Sequence, residues 1–194
     1  MIARILLFFL LALSSAAQAA ELANIDDNNY AAGSIVKIGY GEPLSPACAA
    51  DLFATPCEKY NVSPNLARAI AKAESGLHPW AVNVAGRAYY PASAEAALRI
   101  IADAKEKGLS HDIGLMQINN RWLTQLGISP ETALIPANNV TLGVYILALA
   151  IRRHGYNWKA VGAYHSPTSA RQMTYARKVN TIYQQYRRLT MARY

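Results

Sequence analysis

The chain has 194 residues, of which 53% are hydrophobic and 16% are charged, and it carries a formal net charge of +7. This share of apolar residues excludes an intrinsically disordered chain, and the length is sufficient for one domain with a buried core. No repeat and no low-complexity tract is present in the sequence, which favours a single globular domain.

The first residues have the pattern of a secretory signal. Arg4 precedes an apolar run over residues 5–13, and Ala-Gln-Ala at 17–19 fits a signal-peptidase site. Both this run and the apolar segment 140–151 are too short to cross a bilayer, so no membrane span is predicted after signal cleavage. The alternative for the first run is a retained N-terminal anchor. The predicted division is a signal peptide, an N-terminal extension and a helical domain, at residues 1–19, 20–46 and 47–190.

Two cysteines, Cys48 and Cys57, lie close together in the sequence. In the oxidising compartment that a secretory signal indicates, a local disulfide between them is predicted. The alternative is two free, buried thiols. No metal site is predicted, because a pair of cysteines without a nearby histidine lacks the usual number of ligands.

Basic residues are concentrated in the C-terminal part of the chain. No acidic residue follows Glu131, and nine Lys or Arg residues lie between Arg152 and Arg193 inclusive. Loss of Arg4 with the signal would leave a net charge of +6. Such a surface favours a polyanionic partner, here an anionic polymer or membrane surface of the cell envelope. Nucleic acid is not predicted, because no nucleic-acid-binding motif is recognisable. The alternative is a solvated basic helix without a partner.

Capping residues and apolar spacing predict a mainly helical domain. Ser63 and Pro64 begin a helix that Gly76 ends. Further helices are predicted over residues 94–107, 137–154, 157–164 and 169–190. Between these, residues 77–91 are predicted to form a loop or small hairpin, and residues 109–123 an irregular segment that becomes helical.

Glu74 interrupts the apolar face of the helix that begins at Ser63. Leu66 and Ile70 precede it by eight and four residues, so the three lie on one face. At the C-terminal end of a helix the macrodipole disfavours negative charge, and burial disfavours it further. Both effects favour the protonated carboxyl that a general acid needs. The alternative is a side chain that turns into solvent at a frayed helix end.

Three ordered sequence blocks carry a specific resemblance. They are Glu-Ser at 74–75 followed by Ala-Val-Asn at 81–83, Gly-Leu-Met-Gln-Ile-Asn at 114–119, and Ala-Val-Gly-Ala-Tyr at 160–164. In this order they resemble the lytic transglycosylases of the soluble lytic murein transglycosylase (SLT) superfamily. The likeness is strongest to the small accessory enzymes of conjugation, pilus and type III or IV secretion systems. The resemblance implies a mainly α, goose-type-lysozyme-like fold over most of the chain.

The resemblance also implies a reaction. These enzymes cleave the β-1,4 bond between N-acetylmuramic acid and N-acetylglucosamine in peptidoglycan with a single glutamate, which matches Glu74. The implied role of Glu74 is to protonate the glycosidic oxygen and then to accept the proton of the C6 hydroxyl of muramic acid. That hydroxyl attacks the anomeric carbon and gives a 1,6-anhydro product, so no nucleophilic carboxylate is required. A periplasmic enzyme without a cofactor is implied, with glycan strands and components of a secretion, conjugation or pilus machine as partners.

The matching blocks imply a set of substrate-binding residues near the scissile bond. They are Ser75, Gly114, Met116, Gln117, Asn119, Tyr164 and His165. Ser75 and Met116 have structural alternatives, a helix-end hydrogen bond and a core position. Two departures from the family pattern stand out: His165-Ser166-Pro167 replaces an Asn, a small residue and Gly, and segment 84–111 is longer than in short family members. This insertion is expected to form one wall of the groove, with a surface decoration as the alternative.

Two other functions stay open at this stage. Asp112 would make the enzyme a lysozyme-like hydrolase if it served as a second carboxylate, although capping of a peripheral loop is its expected role. The third reading is a non-catalytic assembly factor that binds glycan in the same groove.

Overall fold

The computed structural model describes residues 46–192, and it describes side chains from residue 52 onward. Eight helices occur in this range: α1 Pro46–Lys59, α2 Pro64–Ser75, α3 Ala94–Glu106, α4 Asn120–Leu126, α5 Pro130–Leu134, α6 Pro136–His154, α7 Trp158–His165 and α8 Ser169–Met191. The helices predicted from capping residues are confirmed to within about one residue. At the end of α2, for example, Gly76 adopts a φ of 67°, and its N–H bonds to the carbonyl of Lys72.

A small antiparallel sheet accompanies the helices. Its strands are β1 Val82–Val84, β2 Arg87–Tyr89, β3 His111–Ile113 and β4 Ile118–Asn119, in the order β2-β1-β3-β4. The hairpin of β1 and β2 agrees with the prediction of a small hairpin in residues 77–91. The second hairpin, β3 and β4, lies where an irregular segment was predicted, because strands of two or three residues are too short to show an alternating pattern.

The hydrophobic core lies between α2, α6 and the inner face of the sheet. Ile70, Ile113, Ile118 and Leu147 are almost completely buried there. Helix α6 packs against α1, α5, α7 and β4, while α8 packs against α2 and α7. None of the helices within residues 46–192 combines the length and the apolar character needed to cross a membrane. The segment 140–151 lies within α6, whose residues from Val140 to Leu147 are buried with the exception of Thr141.

The insertion between the first two sequence blocks is largely structural. Helix α3 packs against β1 and α5, and none of its residues lines the large cleft of the molecule. The expectation that the insertion forms one wall of the groove holds only near its C-terminal end, where Ser110 lines the cleft.

Several predictions concern the N-terminal part of the chain. The signal peptide at 1–19 and nearly all of the extension at 20–46 lie outside the described residues. Cys57 is buried, and burial raises the pKa of its thiol to about 11. The Cys48 side chain lies outside the described range, so the disulfide stays a prediction. The two positions are nine residues apart along α1, a rise of about 13.5 Å, whereas a disulfide requires Cα atoms within about 7 Å. The bond therefore requires the start of α1 to unwind.

Candidate active site

Glu74 lines a large cleft. It is the residue before the last in α2, and its side chain is only 11% exposed. The cleft has a volume of about 1420 Å³ and runs between the sheet on one side and α7 and α8 on the other. Glu74 thus lies on the core-facing side of α2, and its carboxyl borders the solvent-accessible cleft. The alternative of a frayed helix end with a solvent-exposed side chain is not observed.

His165 and Tyr175 form a stacked pair beside this carboxyl. Their ring centroids are 4.2 Å apart and their planes differ by 4°. Nδ1 of His165 lies 3.4 Å from Oε1 of Glu74. The hydroxyl of Tyr175 is buried and has no hydrogen-bond partner of ordinary geometry in the described part of the chain. Burial raises the pKa of the Tyr175 phenol, and the Glu74 carboxylate raises it further by its charge and by attracting the hydroxyl proton.

Tyr164 approaches Glu74 from the end of α7. Its hydroxyl donates a hydrogen bond of 2.6 Å to the carbonyl of Met116. Burial and the charges of Glu74 and Asp112 raise the pKa of this phenol. Tyr164 is therefore a neutral donor that connects α7 to the turn between β3 and β4.

That turn has a tightly constrained backbone. Gly114 has a φ of 79°, and a Cβ atom there would overlap the side-chain amide of Asn139. Gln117 also has a positive φ of 48°, and its amide donates to the carbonyls of Gly114 and Ala81 at 2.9 and 3.1 Å. The conformation of this turn, which borders the cleft, is thus stabilised by the side-chain amide of Gln117 and by the contact with α6.

Asn139 of α6 fixes the turn from the core side. It is completely buried, and its amide nitrogen donates to the carbonyls of Ile113 and Ala133 at 3.0 and 2.9 Å. Its amide oxygen accepts the N–H of Met116 at 2.8 Å. A buried amide with its donors and acceptor satisfied stabilises a unique geometry.

The end of α2 is fixed by two further contacts. The Ser75 hydroxyl bonds to the carbonyl of Leu115 at 2.8 Å and accepts the N–H of Leu77 at 3.1 Å. Lys178 of α8 donates to the carbonyl of Ala73 at 2.5 Å, which places a cation at the negative end of the helix macrodipole. The position of the Glu74 backbone is therefore determined from both sides.

Asp112 is a second carboxylate in the cleft. It lies on β3, opposite Asn83 of β1 and Asn119 of β4 in the sheet register, and the amide of Asn119 donates to it at 2.8 Å. Burial raises the pKa of Asp112, the Asn119 hydrogen bond lowers it, and the charge of Glu74 raises it. The expected role in a peripheral loop is wrong, since Asp112 belongs to a strand that faces the site.

The structure separates the predicted substrate-binding residues into two groups. Gln117, Asn119, Tyr164 and His165 line the cleft. Ser75, Gly114 and Met116 are buried and do not line it. Their placement at the groove is corrected, because their contacts hold α2 and the turn in place instead.

Sequence reasoning did not identify three residues of the site. They are Asn139, Tyr175 and Lys178. Tyr175 has helical spacing with core residues of α8, so its pattern indicates packing alone. Asn139, a polar residue at a buried position of an apolar helix, was the one signal that sequence could have offered. Among the residues whose side chains are described, no three His, Cys, Asp or Glu side chains are grouped as a metal site.

The fold and the cleft define a lysozyme-like glycan-cleaving enzyme, with an inner carboxyl and hydrogen-bonding walls. Residues 51–185 match the family model of the transglycosylase SLT domain, and the chain belongs to this family. It is thus a lytic transglycosylase.

Three relatives show the extent of the likeness. Invasion protein IagB of Salmonella typhimurium is 31% identical over 148 residues, which are 72% of this chain and 78% of the relative. Protein IpgF of Shigella sonnei is 30% identical over 145 residues, 72% of this chain and 82% of the relative. Protein virB1 of Agrobacterium fabrum is 32% identical over 150 residues, 69% of this chain and 58% of the relative.

Proposed function

We propose that Glu74 is the acid and the base of a two-step cleavage of the β-1,4 bond between N-acetylmuramic acid and N-acetylglucosamine. As an acid it protonates the glycosidic oxygen while positive charge develops on the muramic acid ring. As a base it then takes the proton of the C6 hydroxyl, which attacks the anomeric carbon. The products are a 1,6-anhydro sugar end and a free N-acetylglucosamine hydroxyl.

The position of the Glu74 side chain supports this proposal. A carboxyl that is 11% exposed and opens on a long cleft can reach a bound glycan while most of its surroundings exclude water. The hydroxyl of Tyr175 and the imidazole of His165 are close neighbours that can support the anion formed in the first step.

The contact between His165 and Glu74 suggests a role for the departure from the family pattern. Nδ1 of His165 lies 3.4 Å from the carboxyl. His165 therefore acts as a residue that positions Glu74, in addition to any contact that it makes with the sugar. The ring of Tyr175 behind it keeps the imidazole in this orientation. Pro167 lines the cleft, and the contact between His165 and Glu74 does not depend on a backbone N–H at that position.

A hydrolytic muramidase is the second candidate, and Asp112 favours it. This carboxylate lines the same cleft as Glu74, and their charges interact. In a retaining or inverting hydrolase a second carboxylate serves as nucleophile or activates water. In the proposed lyase, Asp112 instead orients Asn119 and contributes negative charge near the developing cation.

The cellular role that we propose is local opening of the wall for an envelope-spanning machine. The names of the relatives, among them an invasion protein and protein virB1, support a place beside a secretion, conjugation or pilus apparatus. Export through the signal at residues 1–19 would bring the enzyme to the periplasm, where its substrate lies.

Product analysis separates the two chemistries. Sacculi digested with the mature chain are examined by mass spectrometry of the released muropeptides. A lyase gives anhydro ends, which are one water lighter than the reducing ends of a hydrolase. The D112N variant should still give anhydro ends. Reducing ends from the wild type, lost in D112N, would establish the hydrolase instead.

A further inference from the structure

The walls of the cleft differ in chemistry. Apart from Asp112, the sheet and the residues beside it present uncharged hydrogen-bonding groups to the cleft, namely Asn83, Ser110, Gln117 and Asn119. The end of α6 and α8 present Arg153, His154, Arg171 and Lys178 to the same cleft; we call this set the cationic wall. Neutral amides and hydroxyls suit sugar hydroxyls, whereas guanidinium groups suit carboxylates.

Arg171 is not explained by the stability of its own helix. It lies in the first turn of α8, where the macrodipole disfavours a cation. Arg153, by contrast, lies in the last turn of α6, where a cation is favourable. Both side chains are exposed, and neither forms an ion pair with a carboxylate of the described residues. Two unpaired guanidinium groups therefore face one groove.

The cleft as a whole carries an excess of positive charge. Its lining includes four guanidinium or ammonium groups, from Arg121, Arg153, Arg171 and Lys178, against the carboxylates of Glu74 and Asp112. A glycan backbone of N-acetylated sugars is uncharged and gives no reason for this excess. The stem peptides attached to muramic acid do, because they carry free carboxylates at a fixed distance from the bond that is cleaved.

We propose that the cationic wall, through Arg153 and Arg171, binds the carboxylates of the stem peptides while the sheet side binds the sugars. The enzyme is then selective for glycan that still carries its peptides. This inference rests on the proposed function, since it concerns the substrate of the same cleft. Arginine binds carboxylates in a bidentate manner, which gives orientation as well as affinity.

The test compares three substrates with the wild-type mature chain. They are glycan strands with intact stems, the same strands with stem carboxyls converted to amides, and strands freed of stems by an amidase. We expect kcat/KM to be at least about tenfold higher on intact stems than on the other two, since tenfold is the effect of one modest charged hydrogen bond. Equal rates on intact and amidated stems would overturn the proposal.

Variants locate the effect within the protein. R153Q/R171Q should lose the preference, so that its ratio of kcat/KM on intact stems to kcat/KM on stem-free strands falls from at least about tenfold toward one. R187Q/R188Q is the matched control, because it removes the same charge from the far end of α8, outside the cleft. An equal loss in both double variants, or a loss in R153Q/R171Q on all substrates, would contradict the proposal. Failure of the proposed function differs, as the wild type would then give products with reducing ends or no products, whereas failure of this proposal alone gives anhydro ends at equal rates.

Discussion

The imidazole of His165 lies flat against the phenol ring of Tyr175, with centroids 4.2 Å apart. This stacking directs Nδ1 toward Oε1 of Glu74 at 3.4 Å. A titratable ring thus lies in contact with the carboxyl whose protonation the first step requires. The charged or ionisable groups around the pair are Asp112 of β3, Tyr164 of α7, and Tyr175 and Lys178 of α8.

The first prediction concerns the contact between His165 and Glu74. H165A removes the imidazole that lies 3.4 Å from Oε1 of Glu74 and that stacks on Tyr175. Its kcat/KM on sacculi should therefore fall about tenfold, because the neighbour that positions the carboxyl is lost. H165N keeps a hydrogen-bond donor and should lose less activity than H165A. Wild-type kcat/KM in H165A would refute a positioning role for this side chain.

The second prediction separates the two tyrosines. Y164F removes the hydrogen bond to Met116 and should lower the free energy of unfolding by about 1 kcal/mol. Y175F removes a buried hydroxyl without a partner of ordinary geometry and should leave the protein at least as stable as the wild type. Its activity should fall about tenfold, because one donor that supports the Glu74 anion is lost. Thermal melts and initial rates on sacculi provide the two readouts, and a destabilised but fully active Y175F would reverse the assignment.

The third prediction concerns the loss of folding stability caused by the ionised carboxylate of Asp112. Because the pKa of Asp112 is raised in the folded state, the protein loses stability as the pH rises through that pKa. D112N should raise Tm at pH 7 by about 2–4 °C for each kcal/mol relieved. This advantage should shrink as the pH falls toward 3.8 and vanish well below it, where the carboxyl is neutral in both states. An advantage of D112N that is unchanged between pH 7 and pH 3.5 would contradict a charge-based cost.

The fourth prediction uses two glycines with similar backbones. Gly114 and Gly108 have φ values of 79° and 65°, but a Cβ atom meets Asn139 at Gly114 and open space at Gly108. G108A should cost about 1 kcal/mol of unfolding free energy from backbone strain alone. G114A should cost about 3 kcal/mol or more, since Asn139 must also move. Denaturant titrations give both values, and equal costs would show that Asn139 does not constrain the turn.

The sequence predicted those parts of the fold that local signals determine. Ser63, Pro64 and Gly76 delimit α2 because caps act within a few residues of the chain. The strands β3 and β4 were missed, since their pairing with each other and with β1 is a tertiary contact between very short segments. The packing of α3 against β1 was not predicted either, because it is also a tertiary contact.

At the site, the sequence identified the carboxyl but not most of its surroundings. Glu74 stood out because it breaks an apolar face. Gly114 was placed at the groove, since a motif indicates that residues matter but not which way they face. For Ser75 and Met116 the structure shows the alternatives that the sequence left open, a helix-end hydrogen bond and a core position. Tyr175 reaches the site from α8, 101 positions beyond Glu74, and no local pattern reports such an approach.

The most direct test of the account is the muropeptide product analysis with E74Q. Glutamine has nearly the same shape as glutamate but can neither donate a proton to the glycosidic oxygen nor accept one from the C6 hydroxyl. E58Q, an exposed position on α1, makes the same change of charge outside the site. The account predicts anhydro-muropeptides from wild type and E58Q, and at least about a thousandfold lower release from folded E74Q. Anhydro products from E74Q at the wild-type rate would contradict it.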